Sequence, residues 1–67
     1  MNYMKRIRET RGITQAEICI RTGIHPSTVN RIERGVIKGS RAHRKKIARA
    51  LKIKESEIFP GAVNGKS

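Results

Sequence analysis

Apolar residues recur at spacings of three and four along most of this chain, and glycines interrupt them at positions 12, 23, 35 and 39, with two more at 61 and 65. That period belongs to short amphipathic helices, and the alternation of two that marks a strand is absent. A first helix fits residues 2–11, with Tyr3, Met4 and Ile7 on one face, Lys5, Arg6 and Glu9 toward water, and Gly12 as the left-handed stop. Thr14-Gln15-Ala16-Glu17 announces a second: the Thr14 hydroxyl can accept the amide of Glu17 while the Glu17 carboxylate reaches back to the amide of Thr14. It runs to Thr22 and stops at Gly23. A third follows a very short connection, Gly23-Ile24-His25, with Pro26 in the first helical position, where a missing amide hydrogen costs nothing, and an end at Gly35. A fourth covers Arg41 to Leu51, capped by Ser40, with Ile47, Ala48 and Leu51 inward and a dense basic surface outward. A short fifth turn, Glu55 to Phe59, ends before Pro60. Residues 61–67 lack an apolar period and read as a loose, flexible C-terminal tail.

At 67 residues the pattern predicts one domain, over residues 1–60, with no separate ligand-sensing or catalytic domain, because a chain this short buries only about 60% of its unfolded surface. Charge narrows the partner. Sixteen Lys and Arg stand against five acids, a net charge of +11 that repels itself unless a polyanion is the usual company. A lone Cys19 builds no internal disulfide, no signal-peptide pattern is visible, and no apolar run approaches the roughly 20 residues that cross a bilayer. These features point to the cytoplasm and away from a membrane.

Residues 15–34 form the constellation of interest. Two short helices joined by three residues must cross steeply, so the contact residues must be small and the turn must tolerate positive φ. Cys19 is the small residue, Gly23 opens the turn, and Ile18, Ile24, Val29 and Ile32 supply the apolar wedge. The other face of the third helix then holds Ser27, Thr28, Asn30, Arg31 and Arg34, hydrogen-bonders that suit base edges and phosphate oxygens.

Over roughly residues 4–59 the sequence resembles the phage repressor and Cro type of helix-turn-helix, the XRE-like family. The resemblance lies in Ile-Arg-Glu-Thr-Arg-Gly-Ile-Thr-Gln-Ala-Glu-Ile from Ile7, in Thr-Gly-Ile-His-Pro-Ser-Thr-Val-Asn-Arg-Ile-Glu-Arg-Gly from Thr22, and in Ile-Ala-Arg-Ala-Leu-Lys-Ile followed by Glu-Ile-Phe. It implies an all-α, five-helix repressor-like domain that binds double-stranded operator DNA, with the helix-turn-helix at about 15–34. Gln15 would open the second helix against a phosphate, residues 26–28, 30 and 31 would face the groove, and Arg8 would pair with Glu33. The chain departs from the family pattern at three places. His25 stands where Ser or Thr usually caps the recognition helix, Pro26 replaces a polar residue, and Arg41 and Arg44 replace residues that are usually apolar. The last departure leaves a homodimer on DNA open.

Residue by residue, Arg31 is the leading base reader, because its guanidinium fork matches O6 and N7 of guanine. Asn30 is divided between a base edge, a phosphate and water. Ser27 and Thr28 are assigned mostly to phosphate, against a purely local role on helix amides, whereas for His25 a cap or surface role is favoured over DNA. Lys38 and Arg41 lead the phosphate candidates, ahead of Arg44, Lys45 and Lys46. Cys19 is assigned to packing rather than redox chemistry. His25, His43 and Cys19 have no metal-ligand spacing, and no cofactor or small-molecule ligand is implied.

The function expected is sequence-specific regulation of transcription by operator occupancy, as a Cro-like repressor or controller. Alternatives are an architectural or recombination directionality factor of a mobile element, and a protein-interaction module such as an antitoxin-like or coactivator-like bundle. Attachment to anionic membranes through the basic fourth helix ranks last. Catalysis is not expected, since no nucleophile with an adjacent base, no paired carboxylates and no phosphate-cradling glycine loop can be found.

Overall fold

A computed structural model describes residues 2–60, so the tail expected at 61–67 lies outside the described residues. Among the described residues five helices follow one another: α1 (Met4–Thr10), α2 (Gln15–Thr22), α3 (Pro26–Glu33), α4 (Arg41–Leu51) and α5 (Glu55–Ile58). No strand occurs among the described residues. α2 packs on both α3 and α4, and α5 closes against α4.

The caps explain most boundaries. Thr14 and Glu17 form the reciprocal box: the Glu17 amide donates to Thr14 Oγ1 at 3.1 Å and the Thr14 amide donates to Glu17 Oε1 at 2.9 Å. The Ser40 hydroxyl accepts the His43 amide at 3.1 Å and opens α4. Gly23 ends α2 at φ +75°, a left-handed conformation that a Cβ would strain, and its amide donates to the Cys19 carbonyl at 2.8 Å.

α1 is shorter than the periodicity suggests, and Tyr3 is not on its inner face. Tyr3 precedes the helix and is 50% exposed, while Met4 is fully buried. The cause is Asn2, whose Oδ1 accepts the Met4 amide at 3.0 Å and whose Nδ2 donates to the Ile32 carbonyl at 2.8 Å. One side chain therefore starts α1 and ties it to the end of α3. α5 likewise ends a residue early, with Phe59 buried just beyond it.

The core contains Met4, Ile18, Ile24, Val29, Ile32, Ile47, Ala48, Leu51, Ile58 and Phe59, with Ile7, Ile13, Cys19, Ala50 and Ile53 packed around it. Every helix contributes. Each large buried side chain is worth about 1.5–3 kcal/mol relative to exposure, and together they hold the steep α2–α3 crossing that short local segments cannot hold alone. Two arginines finish the opposite end: Arg11 donates to the Leu51 carbonyl and Arg21 to the Ala50 carbonyl, both at 3.0 Å, which satisfies the negative end of α4.

Candidate nucleic-acid interface

α3 has two unlike faces. Val29 and Ile32 are fully buried, whereas Ser27, Arg31 and Arg34 are exposed, at positions i, i+4 and i+7 along one outward stripe. Thr28 and Asn30 flank that stripe and are half-buried. The one acid of α3, Glu33, points elsewhere. Arg8 Nε donates to its Oε1 at 3.0 Å and Nη2 donates to Oε2 at 2.9 Å, and the two side chains are only 11% and 7% exposed. The Arg8 guanidinium is held protonated more firmly than usual, chiefly by this hydrogen bond, with burial working against it. The expected Arg8–Glu33 pair is thus present, and it leaves the outward side of α3 without negative charge.

The turn before α3 is locked from inside. Thr22 is buried, donates from Oγ1 to the Ile18 carbonyl at 2.6 Å and accepts the Ile24 amide at 3.2 Å. Threonine at the end of an amphipathic helix gives little sequence signal for such a role, because its partner is created by the turn itself. Cys19 is half-buried against the core, as its small size suggests.

His25 caps α3. Its Nδ1 accepts the Ser27 amide at 3.1 Å and lies 3.0 Å from Ser27 Oγ. A ring that accepts at Nδ1 carries its proton at Nε2, so the exposed imidazole still has a donor to offer. Imidazole therefore does the work of the hydroxyl usually found there, and Pro26 follows in the first helical turn. The Ser27 hydroxyl lies against this cap, so its local role and an outward contact coexist in one place.

Gln15 is the first residue of α2 and half-buried; Lys38 and Arg41 are exposed on the segment that follows α3. Arg44 is different. Its Nε donates to Glu55 Oε2 at 3.0 Å and its Nη1 to the Gly39 carbonyl at 2.8 Å, and the paired side chains are 14% and 16% exposed. It is a tie between α4, the preceding loop and α5, so it drops out of the phosphate candidates. This also answers the family departure at position 44: Glu55 supplies the charge that makes arginine acceptable where an apolar residue is usual. Gly39 is a second hidden constraint, because at φ +77° a Cβ there would lie 2.8 Å from Ile32 Cδ1. The sequence signal for the Arg44–Glu55 tie is faint, since the partners sit 11 residues apart on different helices.

Glu17 has a local duty too. Glu17, held below the usual carboxylate range chiefly by the Thr14 amide, also faces Arg21 at 3.8 Å. Among the described residues no three His, Cys, Asp or Glu side chains come together as a metal site. No helix among the described residues is long and apolar enough to cross a membrane.

This geometry is an amphipathic pair of helices in which the outward stripe of α3 is cationic and acid-free. Comparison with known families agrees with it: the helix-turn-helix family model matches residues 4–58, which is most of the chain and includes all five helices. No curated protein matches the sequence well enough to serve as a named relative. With that match over the same elements that build the α2–α3 crossing, the chain belongs to the XRE-type helix-turn-helix family of DNA-binding regulators.

Proposed function

We propose that the protein is a sequence-specific regulator of the Cro, repressor or controller kind, which inserts α3 into the major groove of an operator. The observation that carries this is the exposed stripe of Ser27, Arg31 and Arg34 on a helix whose acid is tied to Arg8. Arg31, central on that stripe, takes guanine through O6 and N7, and Asn30 beside it takes a neighbouring base edge. Ser27, Thr28 and Gln15 hold phosphates on either side, Arg34, Lys38 and Arg41 extend the backbone contact, and His25 offers Nε2–H from the cap. Phosphate contacts set position and salt dependence; Arg31 and Asn30 set sequence.

The test is selection of bound sequences from a random duplex pool at physiological salt, with wild type and Arg31→Ala in parallel. Wild type should enrich one motif, and the variant should lose discrimination at one base pair by about 1–3 kcal/mol, roughly 5- to 150-fold. An inverted repeat would mean that two copies bind with two-fold symmetry. A flat pool for wild type overturns the proposal and favours a protein-interaction module on the same bundle.

A further inference from the structure

The recognition face uses only part of the positive charge. Sixteen cations stand against five acids, and three of those acids are committed, to Arg8, Arg21 and Arg44. α4 concentrates the excess: Arg41, Arg44, Lys45, Lys46 and Arg49 share one helix that contains no acid. Arg44 turns inward, and the other four are exposed.

Arg41, Lys45 and Arg49 repeat at i, i+4 and i+8, so they line one edge of α4 over about 12 Å. Like charges at that spacing repel and weaken a helix. Arg41 also sits in a first turn that has no acid, against the positive end of the helix dipole. Among the described residues, Lys45, Lys46 and Arg49 make no ion pair or side-chain hydrogen bond that would offset this. Beside the edge, Arg21, Thr22, Lys46, Arg49 and Ala50 line an open groove of about 300 Å³ between α2 and α4. The arrangement costs the isolated protein stability, and its complement is a regular row of anions.

We propose that the Arg41–Lys45–Arg49 edge, with Lys46 beside it, is a second phosphate-binding surface that holds duplex DNA flanking the site under α3. The proposal rests on reading α3 as the groove helix. Continuity selects flanking DNA as the occupant: Arg34, Lys38 and Arg41 lead from α3 into α4 with no acid between them. At one charge per about 3.4 Å of each strand, a 12 Å edge faces roughly three to four phosphates. A lipid surface fits less well, because Ile47, Ala48 and Leu51 are buried in the core and α4 has no apolar face to insert. Contacts of this kind lengthen the footprint, steepen the salt dependence and leave sequence preference unchanged. They also draw the flanking duplex toward the protein, a bend with a cost that depends on the flanking sequence.

The experiment measures affinity by fluorescence anisotropy between about 50 and 200 mM salt. It compares wild type with Lys45→Gln/Arg49→Gln on the selected site, centred in duplexes of about one and three helical turns. On the long duplex the variant's logarithmic salt slope should be smaller by about 1.8, equal to about twelvefold less affinity change over that range. On the short duplex the slopes should coincide, and the selected-to-scrambled affinity ratio should be the same for both proteins. The variant should melt close to the wild-type temperature, since the repulsion removed is offset by the loss of Arg49 from the last turn of α4, where a cation favours the helix. Equal slopes on the long duplex overturn the proposal, as does an equal reduction on both lengths, which would put these residues within the recognition footprint. Energy transfer between two labelled short duplexes that depends on Lys45 and Arg49 would assign the edge to a second DNA molecule and also overturn it. So would flotation with phosphatidylserine vesicles that the variant loses and DNA does not compete. Should Arg31→Ala leave sequence preference intact, the reading of α3 fails by itself, and the salt slopes still report separately on α4.

Discussion

Replacing Glu33 with alanine removes the only acid of α3 and both carboxylate contacts of Arg8, the Nε and Nη2 bonds at 3.0 and 2.9 Å. Arg8 keeps one partner, the Ile13 carbonyl, to which Nη1 donates at 3.0 Å. Because the two side chains are 11% and 7% exposed, the stranded guanidinium does not return to water without moving α1 or the loop after it. Breaking a buried pair by truncating one partner costs about 3–5 kcal/mol, and an exposed pair is worth about 0–1 kcal/mol. Both side chains keep some solvent access, so the expected loss falls between these two cases, at about 2–3 kcal/mol. A domain of this size rarely holds more than about 3–5 kcal/mol in total, so most of its stability is at stake. At about 4–8 °C per kcal/mol the melting temperature should fall by roughly 10–20 °C. Thermal melts followed by circular dichroism at neutral pH measure this directly. A cycle with Arg8→Ala and the double variant should return a coupling of about 1.5 kcal/mol or more. A melting loss under about 3 °C, or a coupling near zero, would show that the pair is ornamental and that packing alone holds α3 against α1.

Three other perturbations separate structural from interface roles. Gly39→Ala should cost more than Gly23→Ala by about 1–3 kcal/mol in urea unfolding, because both sit at positive φ but only Gly39 would press a Cβ against Ile32. Arg44→Ala should lower stability by about 1–2 kcal/mol, since it strands Glu55, yet leave the salt slope of DNA binding unchanged. A reduced slope would return Arg44 to the phosphate contacts. The Glu17 carboxylate, held below its usual range, contributes stability that is present above the unfolded value of about 4.3 and is lost as pH falls through its lower folded value. Glu17→Gln keeps the box hydrogen bonds and should therefore flatten the acid limb of the stability curve below about pH 4.3 without shifting the neutral-pH melt much; an unchanged acid limb would remove Glu17 from that role.

Local chemistry made much of this protein legible from its residues. The Thr14–Glu17 box, Ser40 as a cap, Pro26 at a helix start and Gly23 after Thr22 each act within a few residues of chain, so their geometry is nearly independent of the rest of the fold. The inward pattern of Ile18, Val29, Ile32, Ile47 and Leu51 was equally plain, because burial follows helical period. The Arg8–Glu33 pair came from family resemblance and not from spacing.

What tertiary structure alone decided are the contacts between groups distant in sequence. Asn2 bonds to the backbone at Ile32, Arg11 reaches Leu51, Arg21 reaches Ala50 and Arg44 reaches Glu55, and none of these partners exists until the helices have packed. For that reason Tyr3 left the expected inner face, and Arg44, one of five cations in α4, became internal mortar instead of a DNA contact. Charge is a property of the residue, but whether it faces solvent or a carboxylate depends on where the chain brings its neighbours, and that is a long-range outcome of burying the core.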